Sequence, residues 1–254
     1  MQDHFVSLKN HNRVHYLEYG AGEPVILLHT NGSSAYEYDS VIKALGKTRR
    51  VIAWDQPGHG DSDRMIRHYS VEDYGDAVVE FMSALGLEKA HVFGGSIGGA
   101  IAVDLGHRHA NRLKKLFICE AAVRSVDGWA SRWLSTEQNY CYPVQTLDQV
   151  KARLRNVTPE ALDRWNIDRN KAGAWTMLDV MWALREYDIQ TAMKKVSAKT
   201  MLVFGKKSQV GASAPIFQAA MPTAPLVMMD DCGHFPMLDD PESLASIIDK
   251  FIDA

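Results

Sequence analysis

The stretch His91-Val-Phe-Gly94-Gly95-Ser96-Ile97-Gly98-Gly99-Ala100 decides how this chain is read. It passes from a short apolar run through a G-x-S-x-G pattern into Gly99-Ala-Ile-Ala-Val, a helical stretch. A serine on a sharp turn between strand and helix is lifted above the edge of a sheet, and glycines leave room where the backbone crowds. The helix N-terminus favours negative charge beside that oxygen. The strand before and the helix after separate this pattern from a glycine-rich turn with an incidental serine.

Working outward, five further short apolar runs are bounded by turn residues: Pro24-Val-Ile-Leu-Leu28, Val51-Ile-Ala-Trp54, Leu116-Phe-Ile-Cys119, Met201-Leu-Val-Phe204 and Leu226-Val-Met-Met229. Such runs suit parallel strands covered on both faces. Amphipathic helices are predicted between them. Ser70 caps one whose apolar positions are Tyr74, Ala77, Val78, Phe81, Met82 and Leu85 before Gly86. Asp240-Pro241 opens the last, with the stripe Leu244, Ile247, Ile248, Phe251 and Ile252. The alternation predicts an α/β fold, a mostly parallel central sheet with helices on both faces.

One segment breaks the alternation. Residues 121–196 show no strand pattern; Thr158-Pro159-Glu160 starts a helix, and Trp175, Leu178, Met181 and Trp182 fall at helical spacing. Five of the six tryptophans lie there (Trp129, Trp133, Trp165, Trp175 and Trp182). The expected organisation is a core of residues 1–120 and 197–254 with a helical lid, 121–196, inserted in it. Trp129, Trp133, Trp175, Met181 and Trp182 are candidate liners of a substrate pocket.

Composition narrows the function classes. A net charge of −3 over 254 residues provides no footprint for nucleic acid or an anionic membrane. The opening MQDHFVSLKN lacks a continuous apolar core, and no apolar run is long enough to span a bilayer. Cys119, Cys141 and Cys232 lack metal-ligand spacing and read as reduced thiols, so a cytoplasmic location is expected.

Asp231-Cys-Gly-His234-Phe-Pro236 follows the last apolar run and precedes the last helix. A histidine there emerges at the same sheet edge as Ser96, where it can take the serine proton and return it to a leaving group. The other nine histidines have no such placement; His59, in Pro57-Gly-His-Gly60, reads as a loop-packing residue.

With these two elements the chain resembles the α/β-hydrolase superfamily over nearly its whole length. Leu28-His-Thr-Asn-Gly32 resembles the family's oxyanion loop, and Asp55-Gln-Pro-Gly-His-Gly-Asp-Ser62 its D-x-P-G-x-G-x-S loop. The resemblance implies an oxyanion hole formed by the backbone N–H groups of Asn31 and Ile97, one such donor contributing about 2.7–4 kcal/mol to the transition state. Thr30 departs from the family's usual glycine after histidine.

The acid also departs from the pattern. Where most of the family has G-x-x-D after the seventh strand, this chain reads Gly205-Lys-Lys-Ser208. Asp230 and Asp231 are too close to His234 in sequence to orient its ring. Glu120, at the end of the Leu116–Cys119 run, can reach the far nitrogen of the histidine, fix its tautomer and stabilise the imidazolium. Asp127 is a second candidate. An acid after the sixth strand makes the chain similar to zearalenone-type lactone hydrolases. Cofactor-independent quinolone dioxygenases also place their acid there, but they carry a histidine before the serine, where this chain has Gly95. His29-x-Asn31 followed by Ser33-Ser34 is similar to the loop of acyl-homoserine lactonases of this superfamily.

The expected activity is hydrolysis of an ester or lactone, with an apolar or aromatic substrate and no metal or organic cofactor. Two other readings remain open. One is a cofactor-free oxygenase or carbon–carbon bond hydrolase; the other is a ligand-binding protein with a vestigial triad.

Overall fold

The apolar runs all become strands of one sheet. A computed structural model describes residues 1–9, 13–142, 144–155 and 157–254. The strands are β1 (Gln2–Ser7), β2 (Arg13–Tyr19), β3 (Pro24–Leu28), β4 (Arg50–Trp54), β5 (Ala90–Gly95), β6 (Leu113–Cys119), β7 (Thr200–Gly205) and β8 (Leu226–Met229). Their spatial order is β1-β2-β4-β3-β5-β6-β7-β8. β3 to β8 are mutually parallel, and β1 and β2 pair antiparallel at one edge.

Side chains sort between the two faces with a period of two. Ile26, Leu28, Val92, Leu116 and Ile118 enter one core cluster; Val25, Leu27, Phe93, Phe117 and Cys119 enter the other. The first is covered by α2 (Val71–Ala84), α3 (Ile97–Arg108) and α8 (Ala214–Ala220). The second is covered by α1 (Asp39–Leu45), α9 (Pro236–Asp239) and α10 (Pro241–Asp253). The predicted caps are present. Ser70 and Asp73 form a capping box on α2, and the Asp240 carboxylate accepts from Ser243 N–H at the start of α10.

Phe117 is fully buried, its ring 5.2 Å from that of Phe251 and 6.2 Å from that of Phe93. Phe117→Ala is expected to cost about 3–5 kcal/mol of folding stability, read from urea unfolding. A loss below about 1 kcal/mol would show that the neighbours collapse into the space.

Residues 121–196 hold α4 (Val126–Cys141), α5 (Leu147–Lys151), α6 (Pro159–Glu186) and α7 (Ile189–Met193), with no strand among the described residues. Thr158 caps α6 as its sequence implies. The helix is broken at Gly173, whose φ of 73° and ψ of 161° are not helical. α4 packs against α6, whereas α7 packs on α3 and puts Ile189, Ala192 and Met193 into the main core. The tail of the predicted insert therefore packs as core. No helix among the described residues is long and apolar enough to cross a membrane.

Candidate active site

The register of the parallel strands gathers the predicted residues at one edge. Leu28 lies beside Gly94, Gly94 beside Ile118, and Gly95 beside Cys119. The residues that follow β3, β5 and β6 therefore leave the sheet side by side, on either side of the point where the strand order reverses.

Ser96 follows β5 directly and caps α3 with φ 55° and ψ −111°. Holding a non-glycine residue there costs on the order of 1–3 kcal/mol. Its N–H donates to Cys119 O at 2.9 Å. The turn closes so tightly that a Cβ at Gly94 would stand 1.9 Å from Gly98 O, and one at Gly98 would stand 2.3 Å from Leu28 O. The glycines of the motif are steric requirements of the turn.

Glu120 also has a left-handed backbone, with φ 54°, and its side chain is fully buried. The turn aims it across the ends of β6 and β7. Oε1 accepts from Gly205 N–H at 2.5 Å, and Oε2 lies 3.2 Å from His234 Nδ1. The Ser208 hydroxyl donates a short hydrogen bond to the same Oε2. Ser208, which occupies the position of the family's usual acid, thus serves the carboxylate that lies one strand away. Asp127 is exposed in the first turn of α4 and does not touch His234. Asp230 and Asp231 are exposed too, paired with Lys206 and Lys207.

The loop after β3 is held from both sides. His29 Nε2 accepts from Gln56 N–H at 2.9 Å and its Nδ1 faces Thr30 O at 2.7 Å, as suits a neutral imidazole that burial pushes down to about 4. The Asn31 amide donates to Met177 O of α6 at 2.9 Å and receives His59 Nε2 at 3.3 Å on its oxygen. Thr30 has a partner that sequence reading missed. Its N–H and hydroxyl donate to the two oxygens of buried Glu37, at 2.8 and 2.6 Å. The backbone N–H groups of Asn31 and Ile97 have no acceptor among the described residues.

Ser96 and His234 stand in the wall of one cavity of about 350 Å³, without a direct hydrogen bond to each other. Asn31, Trp129 and Met181 also line it. Trp133, Trp175 and Trp182 do not. Trp133 and Trp182 pack on each other 4.4 Å apart with Arg185 over both rings, and Trp175 is 58% exposed. Trp182, like Trp175, is exposed, so helical spacing alone misplaced these rings. The wall is less apolar than the tryptophans suggested: Arg124, Arg132, Arg153 and Lys207 belong to it.

Among the described residues, His15, Asp55 and Asp61 bring ligand atoms within 4.8 Å of one another. Their lone pairs are already engaged. Asp55 accepts from His15, Ala35 N–H and Asp61 N–H, and this network ties β2 to the loop after β4.

A family model described as alpha/beta hydrolase fold matches residues 23–241. The chain is 25% identical to 2-hydroxymuconate semialdehyde hydrolase of Pseudomonas sp. (strain CF600), over 92% of this chain and 88% of that protein. It is 29% identical to 2-hydroxy-6-oxo-6-phenylhexa-2,4-dienoate hydrolase of Comamonas testosteroni, over 76% and 74% of the two. The solved esterase of Exiguobacterium antarcticum matches with a TM-score of 0.83 over 100% of both chains, at 21% identity, a likeness of fold.

Proposed function

This chain belongs to the α/β-hydrolase fold family, and we propose that it is a serine hydrolase that cleaves a carboxylic ester or lactone through an acyl-enzyme. One observation carries the reading. Among the described residues, the non-glycine positions with left-handed backbone are Ser96, which shares a cavity with His234, and Glu120, which lies against its Nδ1. Local strain of this kind persists where the surroundings enforce it, and it collects at reacting groups.

In this reading Ser96 Oγ attacks the carbonyl carbon as its proton passes to His234 Nε2. The Asn31 and Ile97 amides hold the oxyanion. The tetrahedral intermediate collapses, and His234 returns the proton to the departing alkoxide. Water then loses a proton to His234 and attacks the acyl carbonyl, and Ser96 leaves with that proton. Glu120 holds Nδ1 throughout, leaving Nε2 free for the serine. The helices of residues 121–187 act as the lid over this cavity.

The names of the two hydrolase relatives, a semialdehyde hydrolase and a 6-oxo-dienoate hydrolase, favour a second reading, in which the same serine attacks an aldehyde or ketone carbonyl and a carbon group departs. A fluorophosphonate probe tests both, because each needs a nucleophilic serine. Stoichiometric labelling that disappears in Ser96→Ala is the expected result. Undiminished labelling in Ser96→Ala, or none in the wild type, would sink the acyl-enzyme mechanism. Aryl esters, acyl-homoserine lactones, macrocyclic lactones and a 6-oxo-dienoate then separate the two readings by which bond breaks.

A further inference from the structure

Three arginines of the cavity wall have no carboxylate partner among the described residues. Arg124 precedes α4, Arg132 lies on it, and Arg153 follows α5; all three face the cavity that holds Ser96 and His234. Among the described residues no Asp or Glu lines that cavity. Lys207 is paired with Asp231 at 3.0 Å, but none of the three arginines has a carboxylate partner among the described residues. Arg124 is stacked over Trp129 at 5.3 Å, and Arg153 lies against the contacting rings of Trp165 and Phe235, 5.2 Å from each. The Phe235 ring in turn lies 5.0 Å from that of His234, and Arg153 and His234 line the same cavity. Arg153 Nη1 is shut off from solvent and has no hydrogen-bond partner.

This arrangement has a cost. Burial, and next the charge of Arg132, hold the Arg124 guanidinium below its usual range. Behind the wall, buried Arg169 donates to Asn139 O and Tyr142 O and is pushed down to about 10, by burial first, with Arg153 adding to the shift. Like charges gathered around one cavity repel one another, and an arriving anion relieves the repulsion. Guanidinium forks match carboxylates in particular, accepting them with two parallel hydrogen bonds.

We propose that the substrate is an anionic ester or lactone whose carboxylate is taken up by Arg124, Arg132 and Arg153. The proposal rests on the acyl-enzyme reading and names its substrate class. It replaces the apolar acyl group expected from the tryptophans. The uncleaved carboxylate docks against the arginines and leaves the scissile carbonyl at Ser96; Trp129 and Met181 cover the carbon chain between them.

The test is a matched pair, 4-nitrophenyl hydrogen adipate against 4-nitrophenyl methyl adipate. Leaving group and chain length are the same and only the remote charge differs. In wild type the acid is expected to have a kcat/KM about tenfold or more above that of the methyl ester, mainly through KM. Added salt shrinks the ratio, and Arg124→Gln and Arg132→Gln each lower it about tenfold, the methyl ester serving as the reference within each variant. A ratio at or below one, or one that neither variant moves, overturns the proposal. Fluorophosphonate labelling keeps the two readings apart. Labelling with a ratio of one removes the substrate class and leaves the acyl-enzyme. If neither labelling nor turnover occurs, adipate itself decides: a rise in Tm in wild type, reduced in both arginine variants, upholds the anion site, and no rise overturns it.

Discussion

Glu120→Gln is expected to lower kcat by about 10³–10⁴-fold with little change in KM, while Asp127→Asn stays near wild type. The imidazolium that forms when His234 takes the serine proton has one carboxylate against its Nδ1, and that carboxylate is Glu120. An amide in its place removes the negative charge, and its NH2 end can face Nδ1 donor to donor, which favours the tautomer with no lone pair on Nε2. Ser208 offers a second test of the geometry. Its hydroxyl shares Oε2 with the histidine, so Ser208→Ala takes away one charge-assisted hydrogen bond and should slow turnover by about tenfold. Ser208→Asp alone places two carboxylates in one buried site and is expected to be slower still. Combined with Glu120→Gln, it returns an acid to the family's usual strand end and should recover part of the loss. Steady-state kinetics on proteins with matched thermal unfolding settles the matter. Turnover of Glu120→Gln within tenfold of wild type would remove Glu120 from the mechanism.

The parallel core was legible because its strands are buried on both faces and read as short unbroken apolar runs. β1 and β2 were not. β1 alternates exposed and half-buried residues, and β2 carries His15, Glu18 and Arg13. His15 is buried there with its ring bonded at 2.8 Å to Asp55, forty residues away. Among the candidate site residues, Ser96 and Glu120 announced themselves by following strands directly and His234 by lying in the loop after the last one, which sequence order alone can locate. Ser208 looked like a lost acid; only the pairing of β6 with β7 shows it as a donor to Glu120. The arginines were invisible for another reason. Arg124, Arg132 and Arg153 are spaced like ordinary surface charges, and what marks them is the absence of any acid facing them across the cavity. A lid that carries tryptophans and arginines together reads as apolar if only the rings are counted.

Glu37→Gln is expected to stabilise the protein relative to wild type by about 2.5 kcal/mol more at pH 8 than at pH 5. Burial pushes the Glu37 carboxyl up from its ordinary 4.5 to about 7; the two hydrogen bonds from Thr30 oppose the shift and buried Asp168, on α6, adds to it. Between pH 4.5 and 7 the folded protein therefore keeps a proton that the unfolded chain has released. Stability falls as pH rises through this window and is constant above it. Buried His29 and His59, pushed down to about 4 and about 3, act in the opposite sense, because the unfolded chain binds their protons up to its ordinary 6.5. The wild-type profile mixes these slopes, and the difference between variant and wild type isolates Glu37. A glutamine fits the same contacts, its oxygen accepting from Thr30 N–H and its NH2 donating to the Thr30 hydroxyl. Glu37→Leu makes neither contact. It orphans a buried N–H next to Asn31 and is expected to slow turnover about 10–100-fold by loosening the loop that holds the oxyanion. Urea unfolding of the three proteins at pH 5 and pH 8 reads the first effect, and kcat reads the second. A Glu37→Gln difference that does not change with pH would mean that the carboxyl titrates as an ordinary glutamate. Full activity in Glu37→Leu would mean that His59 and Met177 hold Asn31 without help from Thr30.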